Sequence, residues 1–178
     1  MFLEHDAFVN LVLAATEAYR RETYGILLGA RRRGMVYVQS AAAYQTARRK
    51  PLSVTVPGRR WRILRSVLRH VKRPTFLGEF HSHVGYGADH ALAALSSDDV
   101  QNVADQEIQL LMTVRPLRAA RRWRHNADGS LSGTAGPYFV RMRAFQMRLS
   151  PNGNPLTRVA RLRCKHALTN MLPRSLRN

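Results

Sequence analysis

Hydrophobic positions recur with two periods along the chain, one typical of helices and one typical of strands. Near the amino terminus, apolar residues at helical spacing predict an amphipathic helix that Asp6 caps and that continues to about Arg21. The apolar run TYGILLGA and the alternating run MVYVQ, separated by the turn RRRG, predict a β-hairpin of central strands. A short strand, LSVTV, and a helix over residues 59–72 with a basic outer side follow.

The same alternation continues in the second half of the chain. The segment PTFLGEFHSHV predicts a strand leading into a Gly-rich loop, and SSDDVQNVADQ begins with residues typical of a helix start. EIQLLMTVRP and GPYFVRMRAFQM predict two more strands, with a hairpin turn at Asp128-Gly129 between polar strands. The segment LTRVARLRCKHALTNML predicts a basic amphipathic helix at the carboxyl end.

The order of these elements predicts an α/β (α+β) sandwich, in which helices flank one mixed, curved β-sheet. We divide the chain into a domain of residues 1–150 and a basic helical extension of residues 151–178. The apolar runs are too short to cross a bilayer, and Glu4 and Asp6 occupy the place where a secretion signal has basic residues. We therefore expect a cytoplasmic protein that does not associate with membranes.

The composition changes this picture in two ways. Cys164 is the only cysteine, so any metal site must be built from His, Asp and Glu side chains. The 29 basic and 11 acidic residues give a net charge of +18, and from Arg115 onward Asp128 is the only acid among 14 basic residues. Such a surface attracts polyanions or acidic protein faces. A solvated or partner-docking face and a nucleic-acid-binding face both agree with this charge.

Candidate chemistry lies in two short motifs. His81 and His83 are two residues apart in a predicted strand, so both imidazoles lie on one face and can bind one metal ion. If Ser96 begins the next helix, Asp99 lies in its first turn and can supply a third ligand. Two alternatives remain open: the histidines can form a polar strand face, and Ser-x-x-Asp is a common helix-capping pattern. Asp98 is a rival ligand that would point about 100° away from Asp99.

Three motifs in a fixed order resemble the JAMM (MPN+) zinc metalloprotease family, and GEFHSH is most similar to its prokaryotic members. They are E-x-x-G-x-L-L-G from Glu22, H-S-H in residues 81–83 and S-x-x-D in residues 96–99, and the resemblance covers residues 5–115. It implies a fold like those of MPN domains and cytidine deaminases, bound Zn²⁺, and hydrolysis of the peptide or isopeptide bond after the C-terminal tail of a ubiquitin-like (β-grasp) protein.

The resemblance also implies roles for individual residues. His81, His83 and Asp99 correspond to the zinc ligands, Glu22 to the general base, and Ser96 to the residue that helps to stabilise the oxyanion. These roles agree with the chemistry, because a catalytic zinc site needs an open position for water, a nearby base, and a donor for developing negative charge.

The chain departs from the family pattern after the second histidine. Val84 stands where the family usually has proline, and the connection to S-x-x-D, residues 84–95, is longer than usual. An inserted surface loop accounts for this length at little entropic cost. A lid is an alternative, as is a loop that brings Asp89 and His90 to the metal.

Two further questions stay open at this point. Glu79 shares the strand face of the histidines by parity, so it either assists an imidazole or replaces Glu22 as the base.

The activity also has alternatives. One is a non-proteolytic, metal-binding MPN-type module that docks on nucleic acid, an acidic protein or a larger assembly through its basic C-terminal region. Another is a related hydrolase that trims a different peptide, such as a sulfur-carrier precursor.

Overall fold

The computed structural model describes residues 1–45, 48–50, 53–55, 58–70, 74–84, 94–96, 99–100 and 104–170. The helices are α1 (His5–Glu17), α2 (Gly58–His70) and α3 (Lys165–Asn170). The strands are β1 (Phe2–Leu3), β2 (Tyr24–Arg32), β3 (Met35–Ala43), β4 (Arg48–Lys50), β5 (Ser53–Thr55), β6 (Thr75–Val84), β7 (Ile108–Pro116), β8 (Arg124–His125), β9 (Leu131–Ala135), β10 (Tyr138–Leu149) and β11 (Pro155–Ala160). None of these helices is long and apolar enough to cross a lipid bilayer.

One large mixed sheet organises the described chain. Its order is β1-β3-β2-β6-β7-β10-β9-β8, while β11 also pairs with β10 and β4 pairs with β5 in a separate sheet. β6 and β7 run parallel, whereas β6 is antiparallel to β2 and β7 is antiparallel to β10. The sheet curls, since Phe2 in β1 forms a β-bridge with Arg163, just beyond β11. The predicted class, a mixed and curved sheet with helices, is therefore confirmed.

Helix α1 covers one face of this sheet. Its Phe8 and Leu11 are fully buried and belong to the same apolar cluster as Phe80 of β6 and Leu110 of β7. The Phe8 ring meets Trp123 edge to face, with ring centroids 4.8 Å apart. This burial of large apolar side chains is the main source of stability for the domain.

Helix α2 lies against the sheet face opposite α1. Its Trp61 packs against Phe76 of β6, with ring centroids 5.7 Å apart. A β-bulge just after Phe76 shifts the register between β2 and β6. Gly78 in this bulge has φ +151°, and an added Cβ would lie 2.0 Å from the backbone oxygen of Ile108. Only glycine fits there. The bulge sets which residues of the following part of β6 face away from α1.

The start and the end of α1 differ from the prediction. Glu4, not Asp6, occupies the N-cap position, and its side chain makes no capping hydrogen bond. Asp6 lies in the first turn instead, with its carboxylate 3.2 Å from the imidazole of His5. An acid in the first turn is favourable to the helix dipole without being the cap. The helix ends at Glu17 rather than near Arg21.

The predicted C-terminal helix is wrong for residues 155–160, which form β11 antiparallel to the second half of β10. β9 does not reach that half of β10, so the edge opposite β7 has backbone groups that another strand can pair with. Helix α3 begins only at Lys165. Leu162 and Cys164, between the two elements, are buried in the same apolar cluster as α1.

Candidate metal centre

Two imidazoles lie side by side on β6. His81 pairs with Tyr24 of β2 and with Leu111 of β7, and His83 pairs with Thr113 of β7. The two rings are on the same face of the sheet, with centroids 5.0 Å apart. His81 is buried, with 4% of its surface exposed, and His83 is half-buried. The parity prediction for this pair is confirmed.

Asp99 is held at the start of a helical turn by a reciprocal cap. Its Oδ2 accepts hydrogen bonds from the backbone N–H and the hydroxyl of Ser96, both at 2.7 Å. The backbone N–H of Asp99 donates to the Oγ of Ser96 at 3.3 Å. The Ser-x-x-Asp segment thus forms a capping box. Because the cap uses one carboxylate oxygen, it fixes Asp99 and leaves Oδ1 available.

That second oxygen faces the histidines. The Oδ1 of Asp99 lies 3.4 Å from the Nε2 of His81, yet this buried nitrogen has no hydrogen-bond partner among the described residues. One ligand atom from each of His81, His83 and Asp99 lies within 4.8 Å of the others, so the group could hold a metal ion. A buried polar atom without a partner is costly, and a metal would satisfy it.

The charges of this site act on one another. Burial favours the neutral form of Asp99, but the facing His81 ring and the donors of Ser96 outweigh it and hold the pKa of Asp99 well below its usual range. Burial raises the pKa of the Glu22 carboxyl, His81 opposes that rise and the negative charge of Asp99 adds to it. Glu22 is therefore within electrostatic range of both ligand candidates, although it is 59 positions from His81 in sequence.

Backbone pairing explains how Glu22 reaches this place. The next residue, Thr23, donates its N–H to the Oγ of Ser82 at 3.0 Å, and the N–H of Ser82 donates to the carbonyl of Thr23 at 3.0 Å. Thr23 and Ser82 are both fully buried. Sequence reasoning missed this pair. Its signal is the serine between the two histidines, which must point to the opposite face of the strand.

Glu79 also lies on the face of the histidines, as its pairing with Ile26 requires, but it contacts other partners. It accepts a hydrogen bond from Gln109 at 3.5 Å. Burial raises the pKa of Tyr24 above its usual range, and the charge of Glu79 and its hydrogen bond with Tyr24 raise it further. Glu79 is thus linked to β2 and β7. Asp98, Asp89 and His90 lie outside the described residues, as does most of the long loop.

No protein-family model matches the chain. No curated protein matches it either. Among solved structures, the chain is similar to the solution structure of protein DSY2949 from Desulfitobacterium hafniense, with a TM-score of 0.57 and 16% sequence identity over 93% of each chain. At this level of identity, the similarity shows a shared fold and nothing about activity.

Proposed function

We propose that this chain is a zinc-dependent peptidase or isopeptidase of the JAMM type, with an MPN-like fold. It would hydrolyse the bond after the C-terminal tail of a ubiquitin-like (β-grasp) protein in the cytoplasm. The observation that supports the proposal is that the three motifs come together in space. Three motifs far apart in sequence meet, so that Glu22 lies within electrostatic range of a His81, His83 and Asp99 group whose ligand atoms are within 4.8 Å of one another.

The residues fit zinc by their chemistry. Two imidazole nitrogens and one carboxylate oxygen are a donor set that catalytic zinc sites use, with the fourth position left for water or substrate. The buried Nε2 of His81, without a hydrogen-bond partner among the described residues, fits the same role. Bound Zn²⁺ would supply a Lewis acid and a water whose pKa is about 7.

The other residues would then move protons and stabilise charge. Glu22 would accept the proton of the attacking water and deliver it to the leaving amine, and its raised pKa suits a group that must do both. Ser96 would first orient Asp99 through the cap. By turning its hydroxyl away from Oδ2, it would also donate to the developing oxyanion.

Metal analysis and a cleavage assay test the proposal together. We expect the purified chain to hold about one zinc per molecule, because the site has one set of three ligands. We expect it to cleave a ubiquitin-like fusion protein, to lose this activity with a chelator, and to regain it with added zinc. A chain that binds no metal, or that cleaves equally well with the chelator, would contradict the proposal.

A chain that binds zinc but cleaves no ubiquitin-like fusion would instead favour the non-proteolytic module. The exposed arginines of the C-terminal segment support that second candidate. Arg158 lies on β11, and Arg161 and Arg163 follow it, all with exposed side chains. Such a row could dock on nucleic acid or on a larger assembly.

A further inference from the structure

A cleft of about 650 Å³ lies beside the metal centre, a volume typical of ligand-binding sites. Residues of β7, β8, β9 and β10, and of the segments joining them, line it. Four arginines, Arg115, Arg121, Arg124 and Arg141, are among these residues, against one acid, Asp128. None of the arginines belongs to the metal centre. We name this feature the arginine cleft.

The register of the sheet connects the cleft to the metal centre. His83 pairs with Thr113, Thr113 with Arg141, Arg141 with Ser132, and Ser132 with Arg124. Directly paired residues of neighbouring strands have their side chains on the same face. Since neighbouring strands are about 4.8 Å apart, the backbone of Arg141 lies about 10 Å from that of His83. His83, Arg141 and Arg124 therefore lie in one row across the sheet, and Arg115, two residues beyond Thr113 on β7, lies on the same face.

Most of the positive charge in the cleft is not neutralised by the protein. Arg141 is paired, because its guanidinium lies 2.6 Å from Asp128. Arg115, Arg121 and Arg124 make no ion pair with any residue that the structure describes. Guanidinium groups are planar and bind oxyanions in bidentate fashion. An anionic ligand would therefore find three available partners.

Two observations favour a peptide over a nucleic acid. Single-stranded nucleic acids stack their bases on free aromatic faces. Here the guanidiniums of Arg115 and Arg121 lie over the Phe139 ring, 4.9 and 5.8 Å from its centroid. The neighbouring Trp123 is 4% exposed and donates its indole N–H to the carbonyl of Thr134. The cleft thus has guanidinium groups that can bind the carboxylates of a ligand, but no exposed aromatic ring among its described lining residues on which a base could stack.

We propose that the arginine cleft binds an acidic segment of a peptide, with its carboxylates on Arg115, Arg121 and Arg124. The binding itself follows from the residues of the cleft. Its link to catalysis rests on the proposed function: the acidic segment would hold the substrate so that the scissile bond reaches the metal centre. Extended peptide spans about 3.3–3.6 Å per residue. Arg115 lies one strand across and two residues along from His83, a backbone distance of about 8 Å, so we expect acidic residues from about two to three positions away from the scissile bond.

The binding test uses the metal-free chain, so that it does not depend on any catalytic activity. The probe is a short fluorescent peptide of alternating glutamate and serine, and the same peptide with glutamine is its neutral control. The triple variant R115Q/R121Q/R124Q is compared with R158Q/R161Q/R163Q, which removes the same charge from the exposed C-terminal segment. We expect the cleft variant to bind the glutamate peptide at least about tenfold more weakly. We expect the C-terminal variant to bind the glutamate peptide with nearly the wild-type affinity. The glutamine peptide should bind neither the wild-type chain nor either variant.

Three results would overturn the proposal. The first is no difference between the glutamate and glutamine peptides. The second is an equal or larger loss in the C-terminal variant, which would assign the binding to general charge or to that segment. The third is stronger binding of an oligothymidylate that the cleft variant alone abolishes, which would make the cleft a nucleic-acid site. Thermal unfolding checks each variant, and single substitutions at Arg115 and Arg124 replace a triple that does not fold.

A second assay separates the link to catalysis from the proposed function itself. Fusion substrates carry either glutamates or glutamines at the expected distance from the scissile bond. We expect a lower KM for the glutamate substrate, and we expect the cleft variant to raise that KM to the glutamine value. Equal KM values for both substrates would overturn the link. If neither substrate is cleaved by the zinc-loaded chain, the proposed function fails, and the peptide-binding result alone decides whether the cleft binds acidic peptides.

Discussion

The metal centre and the arginine cleft share one face of one sheet, but they are assembled in different ways. His81 and His83 come from a single strand, two positions apart, so their juxtaposition follows from strand geometry. The arginines of the cleft come from β7, β8, β10 and a connecting segment, and only the register between these strands brings them together. The histidine pair is visible in the sequence because both residues belong to one strand. Asp99 and Glu22 come from other segments and were expected through their motifs and the family resemblance, and the arginine cleft was not predicted.

The two regions also differ in charge. Glu22, Glu79 and Asp99 lie around the histidines, whereas the cleft has four arginines and one acid. The net charge of +18 is therefore not spread evenly over the surface. A ligand with an acidic part and a neutral part would be oriented by this difference, with its acidic part in the cleft. Each of the following predictions tests whether the two regions act separately.

The largest expected effect is the loss of metal after removal of a ligand. His81→Ala or Asp99→Ala should abolish stoichiometric zinc binding, because two donors do not complete a three-ligand site. Metal analysis of the purified variants measures this, and binding of the glutamate peptide should be unchanged. If Asp99→Ala keeps its zinc while Asp89→Ala loses it, the ligand comes from the long loop instead.

A loss of rate without a loss of metal should follow from Glu22→Gln. The amide keeps the shape but cannot accept a proton, so we expect cleavage to fall by about 10²–10⁴-fold with zinc retained. Glu79→Gln is the matched control, since its carboxylate contacts Gln109 and Tyr24. A dead Glu79→Gln beside an active Glu22→Gln, both with full zinc, would exchange the two roles.

Ser96→Ala should have a smaller effect on two quantities at once. Loss of the cap should lower the free energy of unfolding by about 1 kcal/mol. Loss of a donor near the oxyanion should lower kcat by about 10²-fold. Ser96→Thr keeps the hydroxyl and should restore most of both. If kcat of Ser96→Ala is unchanged while stability falls, the serine only orients Asp99.

The smallest expected effect concerns Asp128, the acid of the arginine cleft. Hydrogen bonds from Ser130, together with the nearby Arg141 guanidinium, lower its pKa to about 2 despite some burial. A lowered pKa in the folded state means that the stabilisation is complete above the ordinary value of 3.8 and is lost as the pH falls toward about 2. Asp128→Asn should thus cost about 0.2–1 kcal/mol near neutral pH, because the pair is partly exposed.

Chemical denaturation of wild type and Asp128→Asn across this pH range measures the difference in the free energy of unfolding, which should shrink as the pH falls through 3.8 and disappear below about pH 2. The variant also sharpens the comparison of the two regions. Asp128 is the one acid among the described residues that line the cleft, so its removal should tighten binding of the glutamate peptide and leave zinc binding unchanged. A difference in stability that persists at low pH would contradict the assigned ion pair.

The sequence by itself determined the features that depend on near neighbours. The β2–β3 hairpin, helix α2, strand β6 and the shared face of Glu79, His81 and His83 all follow from periodicity. The cap between Ser96 and Asp99 forms over three positions, so its pattern is also readable. In each case, the interacting groups are close along the chain, and the local backbone geometry brings them together.

The tertiary structure alone decided the features that depend on pairing between distant segments. Residues 155–160 have an amphipathic pattern, but they form a strand on the edge of β10 that β9 leaves uncovered, because ladder hydrogen bonds outweigh a weak helical preference. The hydrogen bonds of Thr23 with Ser82 bring Glu22 to the metal centre. The arginine cleft exists only through the register of β7 with β10 and of β9 with β8. Register depends on pairing across the whole sheet, which a single segment does not encode.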